Sequence, residues 1–301
     1  VLLAVVLLLA ALVIARNRAA LEDAFAEIGW GPMAVAGFLA LLGTIALVGL
    51  WRALLRGLGT VPPLGEAWPV FFVSQLGKYV PGMLWPAVAQ MEAGRRWGAR
   101  RSVMLAANLL LLAVLASSGV VVGLALLPWS VGVTGVSWWA WVAAGALALV
   151  CVWPGLLTRV LDELFRVARR EPPSLSVPPR AMAAAYAWAV VVWLLYGAQI
   201  AVLVLAVGGS GPDAWAASVG GMALGWAIGL VAVFAPAGVG VREAVITAAL
   251  APVVGRAPAL AVALASRGVL ALCDVVLALA GSRRAAQPAR GQVAGSGEPE
   301  D

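Results

Sequence analysis

Apolar residues fall in long blocks separated by short polar links. The blocks run over about 32–51, 67–91, 103–128, 137–157, 182–207, 214–250 and 258–280. Most match the roughly 20 residues that a helix needs to cross a bilayer core. The first run, Val1 to Ala15, is shorter and reads as the end of a further spanning helix. Two blocks are broken by proline and glycine, 67–91 at Pro81-Gly82 and 214–250 at Pro236-Ala237-Gly238-Val239-Gly240. Proline removes a backbone donor and glycine opens unusual backbone angles, so a helix ends or kinks at each.

The polar links decide which blocks cross. Arg52 and Arg56 precede the first broken block, and Arg95, Arg96, Arg100 and Arg101 follow it. Both of its ends are therefore expected on the cytoplasmic side. The link from Trp129 to Val136 carries no charge and is expected outside, whereas Arg159, Arg166, Arg169, Arg170 and Arg180 place the next long loop inside. Gly208 to Asp213 then lies outside, and a cytoplasmic tail with Arg283, Arg284 and Arg290 requires the second broken block to return to the outer face. Its first arm, Ala214 to Ala235, is long enough to span alone, which leaves a full crossing as the alternative.

The resulting fold class is an all-α polytopic membrane protein with about six spanning helices and two re-entrant broken hairpins. One transmembrane domain covers 1–281, with halves of opposite orientation at about 1–128 and 137–281, and a disordered tail covers 282–301. Short matches recur in the same order in both halves. Leu21-Glu-Asp-Ala-Phe25 answers Leu161-Asp-Glu-Leu-Phe165, and Glu66-Ala-Trp68 answers Asp213-Ala-Trp215. Inverted repeats with discontinuous helices at corresponding positions point to a site near the bilayer midplane.

Composition agrees and excludes much else. The chain is 63% apolar and 11% charged, with a mean hydropathy of +1.00 and 34 glycines that suit close helix packing in lipid. Its pI near 10.3 comes from loop arginines, which need no nucleic acid partner. Histidine is absent, which removes the commonest general base and metal ligand and any Ser-His-Asp triad. Cys151 and Cys273 sit in apolar blocks and form no metal or disulfide framework. No cofactor, metal or catalytic residue is expected.

The one lysine, Lys78, stands against 19 arginines and lies within the first broken block, beside its break. Intramembrane charge is costly, about 2.5–3.5 kcal/mol at the helix centre on insertion scales, and marks a functional site by default. Helices restarting after Pro81-Gly82 and after Gly238-Val-Gly240 aim free N–H groups and positive dipole ends inward, where anions are favoured. Lys78 and Arg242 reinforce that field. Ser74, Gln75, Tyr79 and Gln90 supply neutral hydrogen bonds, Trp85 follows the first tip, and Glu243 is placed to cap its helix, pair with Arg242 or carry a proton.

Structural readings stand beside these. Lys78 can snorkel to the interface, and Arg242-Glu243 can be a local ion pair that lets a polar turn be buried. Arg267 and Asp274, seven residues apart on one face of the last helix, fit an interhelical pair as well as a coupling role. Asn108 and Gln199 read as helix-to-helix glue. Trp30, Trp51, Trp129, Trp138 and Trp139 fit an interfacial aromatic belt.

At both breaks the chain resembles a known family. Ser74-Gln-Leu-Gly-Lys-Tyr-Val-Pro-Gly82 with Trp85, and Pro236-Ala-Gly-Val-Gly-Val-Arg-Glu243, are similar to the two signature stretches of the lysylphosphatidylglycerol synthase transmembrane-region, or flippase-like domain, family. The resemblance implies an integral protein of the cell membrane related to the part of those synthases that moves aminoacylated lipid between leaflets. By motif match it marks Lys78, Tyr79, Pro81, Gly82, Arg242 and Glu243. The second motif reads Pro-Ala-Gly where the family pattern has Pro-Gly-Gly. Aminoacyl transfer in those synthases belongs to a separate soluble domain, and the short tail after the last helix argues against that activity here. The implied reading is a lipid flippase binding an anionic or zwitterionic head group, its partners being membrane lipids. The alternative is a non-transporting scaffold subunit for a lipid- or envelope-modifying enzyme.

Overall fold

The computed structural model of the chain describes residues 22–23, 26–79, 85–131, 159, 163, 166, 177–231, 238 and 240–285. Its eight long elements among these are helices: α1 (Trp30–Gly57), α2 (Leu64–Gln75), α3 (Trp85–Gly94), α4 (Arg101–Val131), α5 (Pro179–Ala206), α6 (Gly211–Val231), α7 (Val241–Val254) and α8 (Arg256–Ala285). Short 3₁₀ turns follow α2 at Leu76–Tyr79 and α3 at Arg95–Trp97. Four helices, α1, α4, α5 and α8, are long and apolar enough to cross a membrane. They match the blocks expected at 32–51, 103–128, 182–207 and 258–280. The spans expected at 1–15 and 137–157, the Pro81-Gly82 and Pro236-Ala237 breaks and the tail beyond Ala285 lie outside the described residues.

The first broken block forms two short arms. α2 has 12 residues and α3 has 10, so at 1.5 Å per residue each covers about half of a 30 Å hydrocarbon core. The arms pack on each other, and their outer ends meet: Trp97, just after α3, donates its indole N–H to Glu66 in the first turn of α2 at 2.6 Å. The second block has longer arms, α6 with 21 residues and α7 with 14, but also folds back on itself. α6 and α7 pack antiparallel, and the start of the pair meets its end, because a Cβ at Gly209 would lie 2.9 Å from Val254 Cγ1. α6, with 21 residues, is not among the four candidate spans.

Neighbour relations repeat between the two series. α1 packs on α5; α2 packs on α8 as α6 packs on α4; α3 packs on α4 as α7 packs on α8. Exchanging α1–α4 with α5–α8 returns the same pairs. Glycine permits the closest contacts, since a Cβ at Gly43 would lie 2.6 Å from the Tyr196 ring and one at Gly119 would lie 2.7 Å from the Ala223 carbonyl oxygen. This is the small-residue packing that replaces hydrophobic driving force in lipid.

The arginine-rich ends gather at one end of the bundle. The end of α1 meets the start of α5, with a Cβ at Gly57 lying 3.0 Å from Val177, and the end of α8 meets the start of α2, with one at Gly281 lying 3.1 Å from Pro69 Cα. Trp51 near the end of α1 meets the Phe71 ring of α2 tilted at 5.3 Å and the Trp97 ring edge-on at 6.2 Å. Trp51 is therefore fully buried, not part of an interfacial belt, because the broken block folds over it. Trp30, 91% exposed at the opposite end of α1, remains open to the surroundings.

Candidate functional site

The 3₁₀ turn after α2 carries Lys78 and Tyr79 into the middle of the bundle, opposite α8. Asp274 of α8 receives both: Lys78 Nζ and the Tyr79 hydroxyl each lie 2.6 Å from the same oxygen, Oδ2. The carboxylate side chain is 4% exposed and that of Lys78 is 35% exposed. The ammonium of this lysine is paired with a buried acid of the last helix. It also lies 5.5 Å from the centre of the Tyr79 ring.

The second tip is shaped by two left-handed glycines, Gly238 at φ 68° and Gly240 at φ 86°. Gly238 packs on Gly229 of α6 so closely that a Cβ would lie 3.1 Å from the Gly229 Cα. Gly240 is the N-cap of α7, and Glu243 reaches back to accept its N–H at 2.7 Å. That is half of a capping box, glycine having no side chain to complete it. The other Glu243 oxygen accepts from Arg267 Nη1 at 2.5 Å. Glu243 thus caps its helix and pairs with Arg267 of α8, not with its neighbour Arg242. Arg242 donates from Nη2 to the Met222 sulfur at 3.0 Å, and among the described residues no carboxylate lies within 4 Å of its guanidinium.

Lys78, Tyr79, Asp274, Gly238, Arg242 and Arg267 line one cavity of about 190 Å³, whereas Glu243 and Gly240 stand behind it. An apolar cavity of roughly 150 Å³ already takes a benzene ring. Its polar lining holds Gln75, Lys78, Tyr79, Asn108, Tyr196, Arg242, Arg267 and Asp274, with Gly238 beside them. Leucines of α4 together with Trp193 and Trp226, whose rings meet at 5.8 Å, form an apolar wall. The lining is amphipathic: charged side chains and a hydrocarbon wall face the same space.

Of the sequence-derived candidates, Glu243 and Gly240 do not line the cavity, and neither do Ser74 and Gln90. Ser74 and Gln90 are both buried, with Gln90 fully so, and they belong to a chain of bonds across three helices. Asn108 donates to Gln90 at 2.7 Å, Gln90 to Ser74 at 2.8 Å, and Ser74 to the Phe71 carbonyl at 2.7 Å. Asn108 is glue, as expected, and also reaches the cavity. Gln199 bonds Ser266 at 2.9 Å as an interhelical link. Pro81, Gly82 and the Trp85 side chain lie outside the described residues. Arg267 and Asp274 are both interhelical partners, each to a different tip and not to one another. Sequence reasoning missed Tyr196, which lines the cavity and meets Thr44 at 3.1 Å. A phenol in the middle of an apolar helix was the available signal.

A family model described as the lysylphosphatidylglycerol synthase TM region matches residues 1–278. No curated protein matches the chain. The chain belongs to that family, and with four apolar helices long enough to cross it is a multi-pass membrane protein built on the family's membrane region.

Proposed function

We propose that this protein is a lipid translocator, binding an anionic or zwitterionic head group between its two helix tips and exposing it alternately to the two faces of the membrane. One observation carries the reading: two sequence-distant breaks bring Lys78 and Arg242 to one cavity with charged side chains and an apolar wall. A head group and the start of its acyl chain need those two surfaces together. A scaffold has no use for paired interrupted helices converging on a cavity.

The same reading treats the two series as an inverted repeat, and the α2–α3 and α6–α7 pairs as re-entrant hairpins. Support comes from the exchangeable packing pattern and from the meeting of each pair's outer ends. The end of the bundle that gathers Arg52, Arg56, Arg95, Arg96, Arg100, Arg101, Arg180 and Arg283 is then cytoplasmic in a cell membrane, and the C-terminus with it. No group transfer enters the mechanism.

The test is reconstitution of the full chain in vesicles with a fluorescent phosphatidylglycerol confined to the inner leaflet. Wild type is expected to speed its appearance outside at least tenfold over empty vesicles, and Arg242→Met to abolish the gain. Equal rates with and without folded protein would reject translocation and favour the scaffold.

A further inference from the structure

The two tips are held by one helix. Arg267 and Asp274 sit seven residues apart on α8, about two turns and about 10 Å along its axis, on one face. Asp274 takes Lys78 and Tyr79 from the first tip; Arg267 takes Glu243 from the second. Each carboxylate is nearly enclosed, at 4% and 8% exposure. Both Glu243 oxygens are occupied, one by Arg267 and one by the Gly240 N–H. Three cations, Lys78, Arg242 and Arg267, therefore meet two carboxylates, and a single positive charge is left over. It resides on Arg242, which has a thioether sulfur as its hydrogen-bond acceptor, a weak one.

The geometry points to Asp274 and Arg267 as positioning residues: α8 fixes both tips by an ion pair each, and thereby leaves Arg242 as the group that takes one negative charge from a ligand. If Lys78 instead left Asp274 to bind a phosphate, the enclosed carboxylate would keep the neutral Tyr79 hydroxyl but lose its countercharge in a membrane interior, a costly arrangement. Lys78 thus acts through the fold, as a strut, and Arg242 acts on the ligand. The assignment to Arg242 rests on the head-group reading above; the struts do not.

The experiment uses the full chain in detergent micelles with dihexanoyl phosphatidylglycerol as probe and inorganic phosphate in a parallel arm. Arg242→Met is expected to weaken lipid binding at least tenfold. Lys78→Met is expected to weaken it similarly, because Asp274 loses its countercharge, and Lys78→Met with Asp274→Asn to recover to within threefold of wild type, because the tip regains a neutral contact. A double variant as impaired as Lys78→Met, or an Arg242→Met variant within threefold of wild type, overturns the division of roles. Thermal unfolding without lipid reads the struts separately: each single substitution at Lys78 or Asp274 should lower the melting temperature more than the pair together, and simple additivity overturns the strut. Inorganic phosphate is expected to bind at least tenfold more weakly than the lipid probe. Equal affinities, or no lipid binding by wild type, would reject the lipid reading while the melting cycle still decides the struts.

Discussion

Replacing Gln90 with leucine tests whether the buried amide chain is structural or part of the ligand site. Gln90 is fully buried and connects Asn108 of α4 to Ser74 of α2 by bonds of 2.7 and 2.8 Å. Gln90→Leu removes both bonds. The partners it abandons keep others: Asn108 still donates to the Met104 carbonyl at 2.9 Å, and Ser74 to the Phe71 carbonyl at 2.7 Å. Interhelical hydrogen bonds in membranes average about 0.6 kcal/mol, with a ceiling near 1.7. Two of them give about 1.2 kcal/mol, and leucine of similar size keeps the packing, so a net loss of about 1 kcal/mol is expected. Unfolding by SDS titration in mixed micelles measures it, and affinity for the phosphatidylglycerol probe should stay within threefold of wild type. A destabilisation above about 4 kcal/mol would refute the energetic argument. A tenfold loss of lipid binding at unchanged stability would return Gln90 to the site.

Gly238→Ala should destabilise by about 1–2 kcal/mol or more, because alanine is strained at φ 68° and its Cβ would press on the Gly229 Cα at 3.1 Å. Gly229→Ala meets Arg242 Cβ at 3.5 Å and Gly238 Cα at 3.6 Å, ordinary contacts, and should be neutral within about 0.5 kcal/mol in the same titration. Glu243→Gln keeps an oxygen for the Gly240 N–H but removes the ion pair with Arg267; since the two side chains are 8% and 23% exposed, a loss of about 2 kcal/mol is expected, between exposed and buried pairs. Glu243→Ala should cost about 1 kcal/mol more through the lost cap. Single cysteines placed beside Arg95 and after Gly281, with Cys151 and Cys273 replaced, should label from the same face of sealed vesicles, and labelling from opposite faces would reject the hairpin topology.

The four described spans were legible because each needs only length and apolarity, and neither depends on a neighbour. The division of each broken block into two helices was legible from proline and glycine clustered together, a stronger signal than a single proline, since Pro69, Pro128 and Pro252 lie inside helices. Lys78 also stood out without structural help, through being the one ammonium in an arginine-bearing chain and lying in an apolar block. Trp51 misled because a tryptophan near a helix end reads as an interfacial anchor, and no local pattern says that Phe71 and Trp97 will enclose it.

Pairing was the illegible part, and the reason lies in sequence distance. Arg242 and Glu243 are adjacent, so a local ion pair is the natural reading, yet side chains of adjacent helical residues diverge by about 100° around the axis. Glu243 turns back to its own N-cap and outward to α8, while Arg242 turns to α6 and the cavity. Arg267 and Asp274 share a face but stand about two turns apart, too far to bond each other, so a common face meant two partners and not one pair. Their partners are 24 and 196 residues away along the chain. A charge in a membrane helix is costly without a countercharge, and that demand can be read from sequence; which countercharge it finds, if any, is set by how the helices cross. Among the described residues that line the cavity, matching Lys78 to Asp274 and Arg267 to Glu243 leaves Arg242 on a sulfur acceptor, and only that matching singles it out.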